Sequence, residues 1–334
     1  MKNLEILNPQ SLGIIKTIFD NKTPILFMMQ GLPGSGKSTI AKSISEEINN
    51  TIIHSSDDLR KELFGDETNQ EKNNELFAEL HKRIISDLEH GKNVIYDATN
   101  ISKKNRISFL KEIKQVKCSP VNILVMTPFN VCLQRDKERD RVVGKSVIKR
   151  MYESWQPPHY SEGFSKIIPI FCDDYDYANN YNLDILIDKM MEFDQENSHH
   201  ALSLGEHCIK AYKYVESIHP ENTSLRIAAL LHDIGKLYTK THYNKRGEYD
   251  TECHYYNHNC VSAYESIFYL WNYIDDTAKD INETVYIANL IYYHMHPYLS
   301  WKSSEKSLNK DVALIGAKMF RDICYLHDAD LFAH

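Results

Sequence analysis

The chain has 334 residues, 42% of them hydrophobic and 25% charged, with a formal net charge of -7. That length exceeds what one small core encloses and predicts about two domains, and no apolar run reaches the roughly 18 residues of a membrane helix. The acidic balance argues against non-specific wrapping of nucleic acid, though it leaves room for a local basic groove.

Met1 to Asn8 mixes charged and apolar side chains, so neither a secretory signal nor a transit peptide is expected, and a cytoplasmic location follows. Seven cysteines without a CxxC pair read as reduced, buried thiols. Cys253 and Cys260 lie near histidines, but their spacing matches no common zinc pattern and they are read as bystanders.

In chain order, Pro24 to Gln30 is an apolar run that ends in a glycine-rich turn, and Ser38 to Ile48 then takes helical spacing: strand, loop, helix. Further strands are expected at Thr51 to His54, Asn93 to Tyr96, Val121 to Thr127 and Ile167 to Phe171. Amphipathic stretches such as Glu71 to Glu89 and Lys103 to Lys114 separate them. This alternation predicts an α/β domain, a parallel sheet flanked by helices. Beyond Asp194 nearly everything reads as helix, which predicts an all-α second domain. The expected division is residues 1–172, a linker at 173–196, and residues 197–334.

Gly31-Leu32-Pro33-Gly34-Ser35-Gly36-Lys37-Ser38 satisfies GxxxxGK[ST] in the strand-to-helix setting the motif requires. Gly31, Gly34, Ser35, Gly36 and Thr39 belong to a backbone cradle for a nucleotide's phosphates. Lys37 adds a point charge near the β and γ phosphates, and Ser38 can ligate Mg²⁺. ATP and Mg²⁺ are the expected cofactors. After the second strand comes Ser55-Ser56-Asp57-Asp58-Leu59-Arg60. Asp57 could take a proton from an attacking hydroxyl and Arg60 could hold a neighbouring phosphate bidentately; alternatively Asp57 and Asp58 only cap a helix. Asp97, at the end of the third strand, could orient the substrate or a water on Mg²⁺, or serve as a helix N-cap. Between Arg135 and Arg150 lie seven basic residues against three acids. Arg135 and Arg139 share a helix face, either as a lid over ATP or as a solvated charged surface.

Over about Ile25 to Phe164 these motifs, GLPGSGKST, SDDLR, YDATN, RDKER and VIKRMYESWQPP, resemble the phage-type polynucleotide 5'-hydroxyl kinases. The resemblance implies that Asp57 is the general base, that Arg60 grips the acceptor's 3'-side phosphate and that Asp97 organises the acceptor site. Arg135 and Arg139 then form the lid. Gly144 departs from relatives that often carry proline there, which bears on lid rigidity. Tyr152, Trp155 and Tyr160 could stack bases or pack beneath the lid.

Twelve of the sixteen histidines follow Ser198. In Ile227 to Lys236 an apolar helix ends in His232-Asp233 followed by a glycine stop, and two polar groups so placed need a partner. A divalent metal such as Mn²⁺, Fe²⁺, Co²⁺ or Zn²⁺ suits imidazole with carboxylate. Further candidate ligands are His207, His254, His258, His294, His296, Asp328 and Asp330. A helical bundle can gather such residues from separate helices. Over roughly Ser198 to Ala333 the pieces SLGEH, LLHDIGK, YYNH, IYYHMHPY and LHDADLFAH resemble the HD superfamily of metal-dependent phosphohydrolases. That resemblance implies a first metal held by His207, His232, Asp233 and Asp330, with Asp328 competing for the last role, and a second completed by His258 and His294. Lys236 would contact a phosphate or the attacking water, and His200 would line the substrate pocket.

Together the halves predict an enzyme that heals nucleic-acid ends, with RNA favoured because a cyclic phosphate requires a 2'-hydroxyl, and no membrane partner. Two alternatives remain: a nucleoside or small-molecule kinase joined to a nucleotidase, or an ATP-regulated HD hydrolase.

Overall fold

The computed structural model describes residues 23–65, 72–139, 141–172, 175–196, 202–273 and 281–334. It divides into two compact units. The first is Met1–Met151 with Glu162–Tyr175, and the second is Tyr152–Ser161 with Asp176–His334.

In the first unit five strands form a sheet in the order β2-β3-β1-β4-β5, every pair parallel. They are β1 (Ile25–Gln30), β2 (Thr51–Ser55), β3 (Asn93–Asp97), β4 (Ser119–Met126) and β5 (Lys166–Phe171). β1 is buried at all its residues, as a central strand covered on both faces must be. Helix α1 (Lys37–Glu47) lays Ile40, Ala41 and Ile44 on Phe27, Met29, Ile95 and Ile123. α2 (Ser56–Phe64) follows β2, and α3 (Asn73–Glu89) buries Leu76, Leu80, Ile84 and Leu88, one side chain per turn. α4 (Lys103–Glu112), α5 (Phe129–Lys137) and α6 (Lys145–Tyr152) complete the helices of this half. Because all strands are parallel, the ends of β1, β2 and β3 share one edge: Ser55 lies opposite Asp97, and the Gly31 N–H donates to the Thr99 carbonyl at 3.0 Å.

The second unit is mostly helical: α7 (Tyr177–Asn180), α8 (Leu183–Met191), α9 (Leu204–Ile218), α10 (Thr223–Leu231), α11 (Lys236–Thr239), α12 (His258–Tyr273), α13 (Ile281–Tyr293) and α14 (Glu305–Ala333). α9 opens with a capping box between Ser203 and Glu206, and α14 bends at Gly316, where φ is 79°. An antiparallel hairpin, β6 (Thr241–Tyr243) with β7 (Tyr249–His254), departs from the all-helical expectation. Along β7 exposure alternates from Tyr249 to Cys253.

Two further sequence expectations differ from what is observed. Residues 176–191, read as linker, carry α7 and α8 and bury Tyr181, Leu186 and Met190. Tyr152 and Trp155, for which base stacking is one of two alternatives, are buried, so the stacking alternative does not hold. The Tyr152 hydroxyl donates to Glu265 Oε1 at 2.5 Å, and Trp155 meets Tyr264 edge-on.

Candidate functional sites

The loop between β1 and α1 is held from several sides. Gly36 has φ 95°, a left-handed turn that delivers the chain into α1, and no side chain caps that helix, so its first N–H groups are available to an anion. A Cβ on Gly34 would stand 2.4 Å from the Cys132 carbonyl oxygen, so glycine is what lets α5 approach the loop. Thr127 Oγ1 donates to the Ser35 carbonyl at 2.9 Å. Lys37 Nζ donates to the Leu32 carbonyl at 2.7 Å. Burial pushes the Lys37 ammonium below its ordinary value, with the Asp97 carboxylate opposing that shift. Ser38 and Thr39 are exposed in the first turn of α1.

At the same edge the N-cap of α2 is Ser55, whose hydroxyl accepts from the Asp58 N–H at 3.2 Å, so the capping alternative for Asp57 does not hold. Asp57 Oδ1 instead receives Arg60 at 3.0 Å and Arg141 at 3.1 Å. Arg60 is only 5% exposed; it also donates to Asn73 at 3.1 Å, and its Nε has no partner among the described residues. Asp97 is buried and caps nothing, since the cap position of α4 is Ser102.

The basic segment folds over this edge as α5 and the turn after it. An Arg135 guanidinium nitrogen lies 3.8 Å from where a Cβ on Gly36 would stand, and Arg139 is near enough to act on the charge of Lys37. Buried Asp136, between the two arginines, accepts the N–H groups of Val143 at 3.0 Å and Gly144 at 2.9 Å. Gly144 has φ 95°, a conformation closed to proline.

In the second unit α9, the segment after α10, α12, the turn after α13, and α14 send His207, His232, Asp233, His258, His294 and Asp330 to one buried point. His207 Nε2 lies 3.1 Å from both His232 Nε2 and Asp330 Oδ1. His258 Nε2 lies 3.2 Å from His294 Nε2 and 3.1 Å from Asp233 Oδ1. Asp233 stands between the clusters, with Oδ2 3.5 Å from His207 and His232. Gly235 has φ -62°, so it is not the left-handed stop the sequence suggested. Its role is close approach: a Cβ there would stand 2.2 Å from the His258 carbonyl oxygen, at the start of α12.

Asp330, not exposed Asp328, points into the cluster. Its other oxygen accepts the Tyr298 hydroxyl at 2.8 Å. Lys236 Nζ meets Asp233 Oδ2 at 2.7 Å and Gln195 Oε1 at 2.8 Å. His254 pairs with Asp250 and His296 packs on Trp301, so both lie outside the cluster, and His200 lies outside the described residues.

Burial opposes charge on Asp233, but Lys236, His232 and His258 win and hold it well below the ordinary carboxylate range. Burial keeps His207 and His294 low, whereas the neighbouring carboxylates outweigh burial at His232 and lift it to about 9. His232, His258 and His294 each place Nδ1 within 2.8 Å of a backbone carbonyl, those of Ala229, Tyr255 and Ile291. In the neutral form of each ring that bond places the proton on Nδ1, so a cation that displaces any Nε2 proton would meet Nε2 lone pairs turned inward. Asp233 Oδ1 is buried and accepts no hydrogen bond among the described residues, even with His258 Nε2 3.1 Å away. Facing lone pairs beside an unsatisfied carboxylate oxygen are the donor set of a divalent cation, so these residues fit the metals that HD domains bind.

Sequence reasoning missed Asn73, Arg141, Asp136, Gln195 and Tyr298. Only Asp136, set between two lid arginines, left a local trace.

Residues 26–158 match the AAA domain family and residues 204–329 the HD domain family. The chain is 32% identical over 140 residues to an L-seryl-tRNA(Sec) kinase of Methanococcus maripaludis, covering 40% of this chain and 53% of that protein, so it spans about half of that relative's length. Among solved structures, a chain of the Pnkp1/Rnl/Hen1 RNA repair complex is 24% identical over 40% of this chain and 44% of its own, with a TM-score of 0.35. A fungal RNA kinase is 16% identical over 52% and 87%, with a TM-score of 0.36. The chain therefore carries a P-loop kinase domain, which implies ATP and Mg²⁺, followed by an HD phosphohydrolase domain. Among the described residues no helix is long and apolar enough to cross a membrane.

Proposed function

We propose that this chain, a P-loop kinase domain followed by an HD domain, heals nucleic-acid ends, RNA above all: it phosphorylates 5'-hydroxyls and hydrolyses 2',3'-cyclic or 3'-phosphates. The observation that carries the reading is Arg60, a buried guanidinium whose Nε has no acceptor among the described residues, bonded to a carboxylate that caps nothing. A phosphate-binding group fixed beside a candidate base suits an acceptor whose hydroxyl has a phosphate close by. In the transfer, Asp57 accepts the hydroxyl proton as that oxygen bonds to the γ-phosphorus and ADP leaves. Lys37, Arg135 and Arg139 bear on the charge that builds on the transferring group, Ser38 would hold Mg²⁺, and Asp97 orients the acceptor.

In the second unit His207, His232 and Asp330 would hold one ion, His258 and His294 another, with Asp233 shared. Such ions, when bound, would supply positive charge against the phosphate and make water more acidic. Lys236, steadied by Gln195, binds a phosphate oxygen. Tyr298 keeps Asp330 in one rotamer.

A second reading comes from the methanococcal relative: an acceptor hydroxyl carried on an aminoacyl-tRNA. Competition separates the two. A 5'-hydroxyl RNA oligonucleotide should suppress labelling of seryl-tRNA and of free nucleosides by γ-labelled ATP. Preferential labelling of either competitor overturns the end-healing assignment.

A further inference from the structure

Outside both sites, a third group of unlike donors meets where three separate stretches of the second unit converge. Glu196 comes from the segment after α8, His242 from β6 and Cys253 from β7. One ligand atom from each lies within 4.8 Å of the others. His242 Nε2 is 3.4 Å from Glu196 Oε2, Cys253 Sγ is 3.5 Å from His242 Nε2, and Cys253 Sγ is 3.6 Å from Glu196 Oε2. A tetrahedral ion with Zn–S of about 2.3 Å and Zn–N and Zn–O of about 2.0 Å separates its donors by roughly 3.3 to 3.6 Å. All three edges agree.

A network of hydrogen bonds accounts for the cluster less well. Cys253 Sγ stands nearly equally far from the two ring nitrogens of His242, 3.5 and 3.7 Å, so it lies on the lone-pair axis of neither. Glu196 Oε1 is taken by Lys240 at 2.8 Å, which orients the carboxylate and leaves Oε2 turned to the cluster. Glu196 itself is held at φ 44°, a region residues other than glycine seldom adopt.

We propose that Glu196, His242 and Cys253 bind one borderline-soft divalent ion of the Zn²⁺ class, separate from the HD cluster. In the bound state the His242 ring, 36% exposed and stacked only on the exposed Tyr249 ring among the described residues, turns Nε2 toward the point between Sγ and Oε2. The Cys253 thiol gives up its proton to solvent, and water completes the tetrahedron. The ion pins the hairpin to the stretch that carries Gln195, the residue that steadies Lys236.

Cobalt tests this, because only a thiolate ligand gives Co²⁺ a near-ultraviolet charge-transfer band and the HD cluster contains no cysteine. The full chain, stripped with chelator, is titrated with Co²⁺ alone. The expected result is a thiolate band that saturates with one ion. Cys253→Ser abolishes it, and His242→Ala, which leaves the core intact, shifts its titration at least about tenfold. No band in the unmodified chain, a band that survives in Cys253→Ser, or a His242→Ala titration superimposable on the parent overturns the proposal.

Discussion

His258 Nε2 and His294 Nε2 face each other at 3.2 Å although the Nδ1 of each ring is already bonded to a backbone carbonyl. Nε2 atoms so arranged are relieved by a cation placed between them, which each ring can meet with a lone pair. Asp233 serves this pair and the His207–His232 pair alike. Asp233→Asn should therefore lower both bound metal, read by elemental analysis, and phosphoester hydrolysis, the latter by about 100-fold or more, while ATP-dependent transfer persists. Retention of metal with full hydrolysis would mean that the carboxylate is not a ligand.

Asp57 and its two arginines invite separate substitutions. Asp57→Asn should lower kcat for phosphoryl transfer by roughly 10²- to 10⁴-fold with ATP binding unchanged by equilibrium titration. Arg60→Ala should act mainly through KM for the acceptor, since Arg60 is fixed before any acceptor arrives. Arg141→Ala leaves the Arg60 pair standing and should have the smaller effect of the two.

Gly144 contributes both its φ of 95° and an N–H that Asp136 accepts. Proline supplies neither. Gly144→Pro should break the turn after α5 and displace the lid arginines, lowering kcat about tenfold or more and lowering the melting temperature as well, because buried Asp136 loses a partner. Wild-type kinetics in this variant would show that the turn is not needed for transfer.

Buried Glu265 has a pKa raised to about 7 by desolvation, against the opposing bonds from Tyr152 and Tyr181. Unfolded, it releases its proton near 4.5. The folded state therefore binds the proton more tightly, and the resulting stabilisation is full below pH 4.5 and lost as pH rises through 7. Denaturant unfolding followed on the second unit should weaken over that window by an amount on the order of a few kcal/mol, and Glu265→Gln should flatten the slope.

The phosphate loop, the strand alternation and the histidine-rich helices were legible because each is local: a fixed spacing, a period, a dipeptide at a helix end. The choice of Asp330 over Asp328 was not, because it depends on which face of α14 turns inward. Gln195, Asn73 and Tyr298 act through contacts with residues distant in sequence, which no spacing reveals. The linker was misread because polar, aromatic residues 176–182 looked unstructured until Tyr181 found Phe268 and Glu265 to pack on. Cys253 was set aside for want of a motif; its partners Glu196 and His242 are 57 and 11 residues away.

The central claim is that one chain repairs both ends of a broken strand with two independent sites. An RNA oligonucleotide with a 5'-hydroxyl and a 2',3'-cyclic phosphate, incubated with γ-labelled ATP, Mg²⁺ and Mn²⁺, tests it directly beside Lys37→Ala and Asp233→Ala chains. The account predicts that the 5' label disappears only in Lys37→Ala and that the cyclic end stays closed only in Asp233→Ala. ATP consumption with neither RNA end altered would contradict it.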